Sequence, residues 1–195
     1  LELVSYFKRK DIFFKVIGKN EDYLIVETYL DAGRVINELG GTVKIGQFVE
    51  ERHTAKIIDK MPNKVYYALQ DFDNSNIIDK FKHEFKTQKI KAQDITHKIS
   101  PSEIINKKMI ETKSDFVYVK GMLFQTIAVS NPGELERRDT MRPVQDVTGA
   151  ISIRLAKILI NLSQVKDNGE LLDPFCGIGT ILQEALLMGI NTTGI

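Results

Sequence analysis

The chain has 195 residues, 27 Lys+Arg against 26 Asp+Glu, a net charge of +1 and 43% hydrophobic residues. That composition gives room for one or two compact domains of ordinary globular character. A single cysteine excludes an internal disulfide and suits a reducing compartment, and no apolar run approaches the roughly eighteen residues of a membrane span, so a cytoplasmic protein without a membrane partner is expected.

Residues 1–10 pattern as a helix with Leu3, Val4 and Phe7 on one face. Strands are predicted over 12–17 and 23–28, with Gly18, Lys19 and Asn20 turning between them. A second helix over 30–39 has Asp31 as an early acid and Gly40 as its C′ residue, and a strand over 42–49 follows. This order is that of a ferredoxin-like βαββαβ unit without its first strand, assigned to residues 1–50, and it suggests a trimmed N-terminus. A second unit is assigned to residues 55–130. It holds a strand over 65–69, a helix with Ile77, Ile78, Phe81 and Phe85 inward, and a helix opened by Ser100 and Pro101 with Glu103 in its first turn. A hairpin over 116–119 and 123–129 turns at Gly121. The helical spacing of Phe81 and Phe85 makes them core residues rather than base-stacking platforms.

Between Lys80 and Lys113 nine lysines face four acids. Phosphate backbones attract such an excess through counterion release, although lysine-rich helix faces also serve as plain solvated surface. Lys82, Lys86, Lys89, Lys91, Lys98, Lys107 and Lys108 are the candidate RNA-binding residues. Residues 131–150 are polar, hold two prolines and lack a period, so they read as a linker. Within it, Arg137, Arg138, Asp139 and Arg142 suit either phosphate or cofactor contact or ion pairs that lock the linker down. The second reading is favoured because Glu134, Glu136 and Asp139 lie beside the arginines. Ser152 then caps a helix with Leu155, Ala156, Leu159 and Ile160 inward, and Asp167, Asn168 and Gly169 turn into the next strand.

That strand, Leu171 and Leu172, ends in the most informative stretch of the chain: Asp173, Pro174, Phe175, Cys176, Gly177, Ile178, Gly179 and Thr180. A carboxylate at a strand end, a glycine turn and a helix opening together make a cofactor loop, because ligands of open α/β sheets sit beyond the carboxyl ends of the strands. Gly177 and Gly179 permit positive φ and bare backbone, Thr180 is expected to cap the helix running to Met188, and Gly189 closes it. A dinucleotide fingerprint would need glycine at Leu182, and a phosphate loop would need Gly-Lys-Ser/Thr, so both fail. An amino-acid end plus an adenosine, as in S-adenosylmethionine (SAM), suits the carboxylate and short turn better. Cys176 reads as a loop filler, the scattered His53, His83 and His97 give no metal spacing, and a second strand is expected over 190–195.

Four segments carry a family resemblance: LGGTVKIG (39–46), ERRDTMRPVQD (136–146), ISIRLAKILINL (151–162) and LLDPFCGIGTILQEAL (171–186). Together they resemble the THUMP-domain tRNA guanosine-N2-methyltransferases, over essentially the whole chain. The resemblance implies an α+β N-terminal region, ferredoxin-like plus THUMP-like and RNA-binding, followed by a linker and by the start of an α/β Rossmann-like SAM methyltransferase domain at 151–195. It implies SAM at residues 173–180, tRNA or another structured RNA as partner, and helix 151–162 beside the methionine end. One departure is Ile153, where the family often has proline. The family's catalytic D/N-P-P-aromatic tetrad is absent from these residues, so no catalytic residue is assigned and the 195 residues alone are expected to be inactive. The function implied is N2-methylation of a tRNA guanosine. Alternatives are ribosomal RNA guanine-N2 or DNA adenine-N6 methylation, or an RNA-binding module with a vestigial cofactor fold.

Overall fold

The computed structural model describes residues 1–141 and 151–195; Arg142, one of the linker arginines, lies outside the described residues. In chain order the elements are α1 (Glu2–Arg9), β1 (Phe14–Lys19), β2 (Leu24–Thr28), α2 (Ala32–Glu38), β3 (Lys44–Val49), α3 (Thr54–Asp59), β4 (Lys64–Asp71), α4 (Ile77–Thr87), β5 (Lys91–Asp94), α5 (Pro101–Asn106), β6 (Asp115–Val119), β7 (Met122–Val129), α6 (Pro132–Thr140), α7 (Ile153–Ser163), β8 (Glu170–Asp173), α8 (Thr180–Leu187) and β9 (Asn191–Gly194). They divide into two compact units, Leu1–Thr42 with Gly133–Ile195, and Val43–Pro132. Among the described residues no helix is long and apolar enough to cross a membrane.

The unit over Val43–Pro132 is a five-stranded mixed sheet in the order β3-β7-β6-β4-β5. β4 runs parallel to β5 and β6, and β7 runs antiparallel to β6 and β3. α4 lays Ile77, Phe81 and Phe85 onto one face, with the Phe81 ring 4.9 Å from Phe116 and Phe85 4.8 Å from Tyr67. The two phenylalanines are core, as their spacing predicts. On the other face Ile104 of α5 packs with Ala68, Ile95 and Met109. α5 begins as expected, with Pro101 in its first turn and the Ser100 side chain accepting from the Glu103 amide. The Gly121 turn joins β6 to β7, and the Asp73 carboxylate accepts from the Lys120 and Gly121 amides at 3.0 and 2.8 Å.

Two features of this unit differ from the sequence reading. β3, placed there with the N-terminal unit, pairs with β7 through Lys44↔Val129 to Val49↔Leu123. β5 is absent from that reading because Lys91-Ala92-Gln93-Asp94 has no apolar alternation. It is an edge strand, held by its backbone against β4.

The other unit is assembled from the two ends of the chain. α1 and α2 flank the antiparallel β1–β2 pair, and the Asn20 side chain accepts the Asp22 and Tyr23 amides in the turn between the strands. α2 opens with Asp31 as N-cap, accepting from the Arg34 amide. Its C-terminal carbonyls, which a helix leaves without internal partners, and the Gly40 carbonyl just beyond it are met by α7. Arg154 Nε donates to Gly40 O at 3.0 Å, Lys157 Nζ to Asn37 O at 2.7 Å and Asn161 Nδ2 to Glu38 O at 2.9 Å. Glu2 of α1 completes the joint by accepting from the Gly40 and Gly41 amides, both at 2.7 Å, and from Asn161 Nδ2 at 3.0 Å.

These contacts set which face of α7 points inward. Ala156 and Ile160 are buried as expected, but Leu155 and Leu159 are 42% and 41% exposed, and Ile153, Lys157 and Asn161 take the inward places. Polar donors override apolar periodicity here because α2 presents carbonyls that must be satisfied. The segment read as linker is helical over Pro132–Thr140. Its polar sequence carries no apolar stripe from which to read a helix.

Gly40 needs no positive φ; its requirement is close approach, since a Cβ there would collide with the Arg154 carbonyl oxygen. Gly40→Ala is therefore expected to destabilise the protein by about 1–3 kcal/mol, the usual cost of overpacking. An unchanged urea midpoint for Gly40→Ala would show that the α2–α7 joint is looser than described.

Candidate cofactor site

β8 and β9 run parallel, with Glu170 beside Asn191 and Asp173 beside Gly194. Ile160 of α7 and Ala185 of α8 pack with Met188 and Ile190 from the turn into β9, and Leu171 and Ile181 lie against them. The second strand thus forms close to where it is expected, at Asn191–Gly194. Gly189, at φ +76°, ends α8 as the sequence predicts.

The loop from Asp173 to Thr180 sits at the carboxyl end of β8. Asp173 Oδ1 accepts from the Phe175 amide at 3.1 Å, starting the turn, and the Gly179 amide donates to Cys176 O at 2.7 Å, closing it. β9 clasps the loop from the side, because Ile195 N donates to Asp173 O and Cys176 N to Ile195 O. Gly177 and Gly179 have φ of +51° and +77°, and a Cβ built on Gly177 would meet nothing within 4 Å. Open space lies over bare backbone at this point.

One detail corrects the sequence reading. Gly179, not Thr180, is the N-cap of α8, and the helix start has no side-chain cap; Thr180 is the first helical residue and is buried. The left-handed Gly179 turns the chain before Thr180 can occupy the cap position. The helix start is therefore left for an outside acceptor, since the first amides of a helix have no internal partner and carry its positive dipole end.

A shallow cleft lined by Leu159, Ile160, Leu171, Leu172, Asp173 and Ile181 adjoins the strand end. A strand-end carboxylate, an uncapped helix start and an apolar wall fit a ligand with an ammonium, a carboxylate and an adenosine. Phe175 projects from the loop at 92% exposure, and Cys176 is half-buried against Gly194 as a filler. Among the described residues no cluster of His, Cys, Asp and Glu could hold a metal ion.

The helix α6 braces this site from behind. Arg137 pairs with Glu134, Arg138 pairs with the buried Glu184 of α8, and Asp139 Oδ1 accepts from the Ile153 amide at 3.2 Å. The described part of the Arg-Arg-Asp segment therefore makes the locking contacts favoured from sequence. Glu184 and Lys157 were not legible as part of the site. Each is a charged residue one turn from apolar neighbours, the only signal that could have marked it.

The lysine run does not form one patch. Lys82 and Lys86 are exposed on α4, Lys89 follows it at φ +57°, and Lys91 lies on β5 beside Lys64. Lys107 and Lys108 end α5, with Lys107 Nζ 4.3 Å from the Tyr66 ring centroid. α4 packs with Tyr67 and Leu69 whereas α5 packs with Ala68, and alternate strand residues face opposite ways, so the two lysine groups ride on helices of opposite sheet faces. Lys98 ends a short 3-10 turn between them and is exposed.

Lys157 is buried, and burial pulls its ammonium below the ordinary lysine value of 10.5, outweighing the opposing pull of Glu184; Arg138 lowers it further, while Glu2 and Glu38 raise it. The unfolded chain then binds this proton more tightly than the native one, so stability contributed by this group rises with pH in the window below 10.5. Lys157→Met should flatten the rise of unfolding free energy measured by denaturation as pH approaches 10.5 from below. An identical slope in wild type and variant would contradict the assignment.

Residues 140–195 match the UPF0020 family, described as RMKL-like, methyltransferase domain. The chain is 26% identical over 187 residues to the tRNA (guanine(10)-N2)-dimethyltransferase of Methanocaldococcus jannaschii, an alignment covering 85% of this chain and 51% of that protein. It is 52% identical over 46 residues to the enzyme of the same name from Methanothermobacter thermautotrophicus, covering 24% of this chain and 14% of that protein. A probable enzyme of that name from Methanothermococcus thermolithotrophicus is 49% identical over 41 residues, 21% of this chain and 25% of that protein. At the widest of these alignments the chain spans about half the length of its curated relative. The glycine loop thus lies inside a segment matching the UPF0020 methyltransferase domain, in a chain similar in sequence to tRNA (guanine(10)-N2)-dimethyltransferases.

Proposed function

We propose that the protein acts in the SAM-dependent methylation of tRNA, at the N2 amine of a guanosine. The observation that carries this reading is the Asp173–Thr180 loop, with its strand-end carboxylate, bare glycine backbone and uncapped helix start, inside the segment similar to an RNA methyltransferase domain. The cofactor would supply an electrophilic methyl group on a sulfonium. Asp173 would hold the ammonium of its amino-acid end, and the first amides of α8 would hold the carboxylate. Gly177 and Gly179 would let the ligand approach main chain without a Cβ between them, and Leu159, Leu171 and Leu172 would exclude water from one side. An exocyclic amine is a weak nucleophile, so most of the rate would come from orientation.

The five-stranded unit is the proposed THUMP-like RNA-binding domain. Its lysines Lys82, Lys86, Lys89 and Lys91, on and between one helix and the edge strand, and Lys98, Lys107 and Lys108 beyond them, all exposed except the half-buried Lys107, are its proposed phosphate contacts. The ferredoxin-like reading of the N-terminal residues retains the α1-β1-β2-α2 succession, without β3. A tRNA substrate also favours the cytoplasmic location expected from composition.

The full-length protein, given SAM and an unmodified transcript of its host's tRNA, is expected to yield N2-methylguanosine by nucleoside mass spectrometry. Transfer only to ribosomal RNA or DNA would move the substrate class. Saturating SAM without heat in calorimetry, with tRNA binding retained, would leave an RNA-binding module. Asp173→Asn keeps the acceptor for the Phe175 amide and removes the charge. Its SAM dissociation constant should rise about tenfold to a hundredfold, the weight of a charge-assisted hydrogen bond; unchanged affinity would remove Asp173 from the site.

A further inference from the structure

We propose that the tRNA backbone is held chiefly on the α5 side of the five-stranded sheet, by Lys64, Lys91 and Lys107 gathered around the ring of Tyr66. This inference rests on the tRNA reading and says where on the unit that partner sits. Lys64 and Lys91 open β4 and β5 and are partners in the parallel register, and Tyr66 beside Gln93 follows on the same face. Val65, Tyr67 and Ala92 pack toward α4 whereas Tyr66 and Ala68 pack toward α5, so strand alternation turns Lys64 and Lys91 to the α5 side. Lys107 reaches that side from the end of α5, with Nζ 4.3 Å from the Tyr66 ring centroid. Three lysines far apart in the sequence thus meet at one tyrosine.

The arrangement is unfavourable by itself. Like charges directly opposite each other on neighbouring strands, about 4.8 Å apart, repel. Both Lys64 and Lys91 are exposed, and among the described residues neither makes an ion pair. Lys107 follows Glu103 by four residues, the spacing of a favourable helix ion pair, yet its ammonium lies over Tyr66. A phosphate backbone relieves the repulsion, because its oxygens accept from the ammonium groups and its condensed counterions are released. On the α4 side the lysines are answered within the fold. Lys80 pairs with Glu51, Lys82 acts by charge on the Asp94 carboxylate, and Asp79 and Glu84 share α4 with Lys82 and Lys86.

In the full-length protein, Lys64→Gln, Lys91→Gln and Lys107→Gln are each expected to weaken binding of an unmodified host tRNA transcript about tenfold at fixed salt, the weight of a charge-assisted hydrogen bond. Each should also lower the slope of log Kd against log salt by about one. Lys82→Gln and Lys86→Gln should cost less than any of the three, and Lys80→Gln should change nothing. Because each removes a like-charged neighbour, Lys64→Gln and Lys91→Gln should leave the urea midpoint at or above the wild-type value, and SAM affinity should be unchanged throughout. Wild-type tRNA affinity in Lys64→Gln and Lys91→Gln overturns the proposal, as do losses in Lys82→Gln and Lys86→Gln that equal or exceed theirs. Weaker tRNA binding accompanied by a lower urea midpoint in both marks a structural role and overturns it too. A wild-type protein that binds no tRNA overturns the tRNA reading and this inference with it, and is distinguished by that result.

Discussion

Three donors on one face of α7, Arg154, Lys157 and Asn161, meet the last carbonyls of α2 and that of Gly40 in the loop after it, and the arrangement of the first unit depends on that joint. A helix end buried without partners is costly, and so is a buried ammonium. Placing one against the other offsets part of both penalties. The same donors oblige the loop after α2 to approach α7 so closely that only glycine fits at Gly40. The amides of Gly40 and Gly41 then turn toward Glu2, which brings α1 into the joint. The first forty residues are therefore bound up with the helix that precedes the glycine loop.

A second tie runs from α1 to the turn before β8. Arg9 is fully buried and splits its guanidinium between Glu38 at 3.0 Å and Asp167 at 2.9 Å, while Lys10 reaches the same two carboxylates. Breaking a buried pair by removing one partner costs more than the pair contributes when intact. This network is thus better understood as specifying register than as a large source of stability. It also accounts for the turn predicted at Asp167, Asn168 and Gly169: Asn168 adopts φ +61°, and Asp167 is held by α1. β8 consequently enters the sheet from a fixed point, and its end at Asp173 is placed with it.

The site is built in the same manner, from backbone geometry and distant anchors rather than from a dense set of polar side chains. Glycine turns and a helix start without a side-chain cap leave main-chain donors open, and α6 and α7 contact the helix that carries them. Donors fixed in advance need no ordering when a ligand arrives. In the five-stranded unit the design differs: two apolar layers flank the sheet, one buried carboxylate, Asp115 of β6, is paired with Lys44 of β3, and most of the lysines lie on helix faces, turns and an edge strand.

Local chemistry was legible in the residues. Ser152 caps its helix and Ser100 opens its helix as expected, Asp31, read as an early acid of its helix, is the N-cap just before it, Gly121, Gly177, Gly179 and Gly189 adopt the positive φ their turns require, and Phe81 and Phe85 are core. Each of these depends on interactions within a few positions or on a strong apolar period, which a sequence displays directly. Tertiary structure alone decided the partner of β3, the existence of the edge strand β5, the inward face of α7, the helix in the polar segment after β7 and the division of the lysines between two sheet faces. All of these turn on groups far apart in the chain. A strand's partner, or the carbonyls a lysine must satisfy, leave no trace in the spacing of the residues that answer to them.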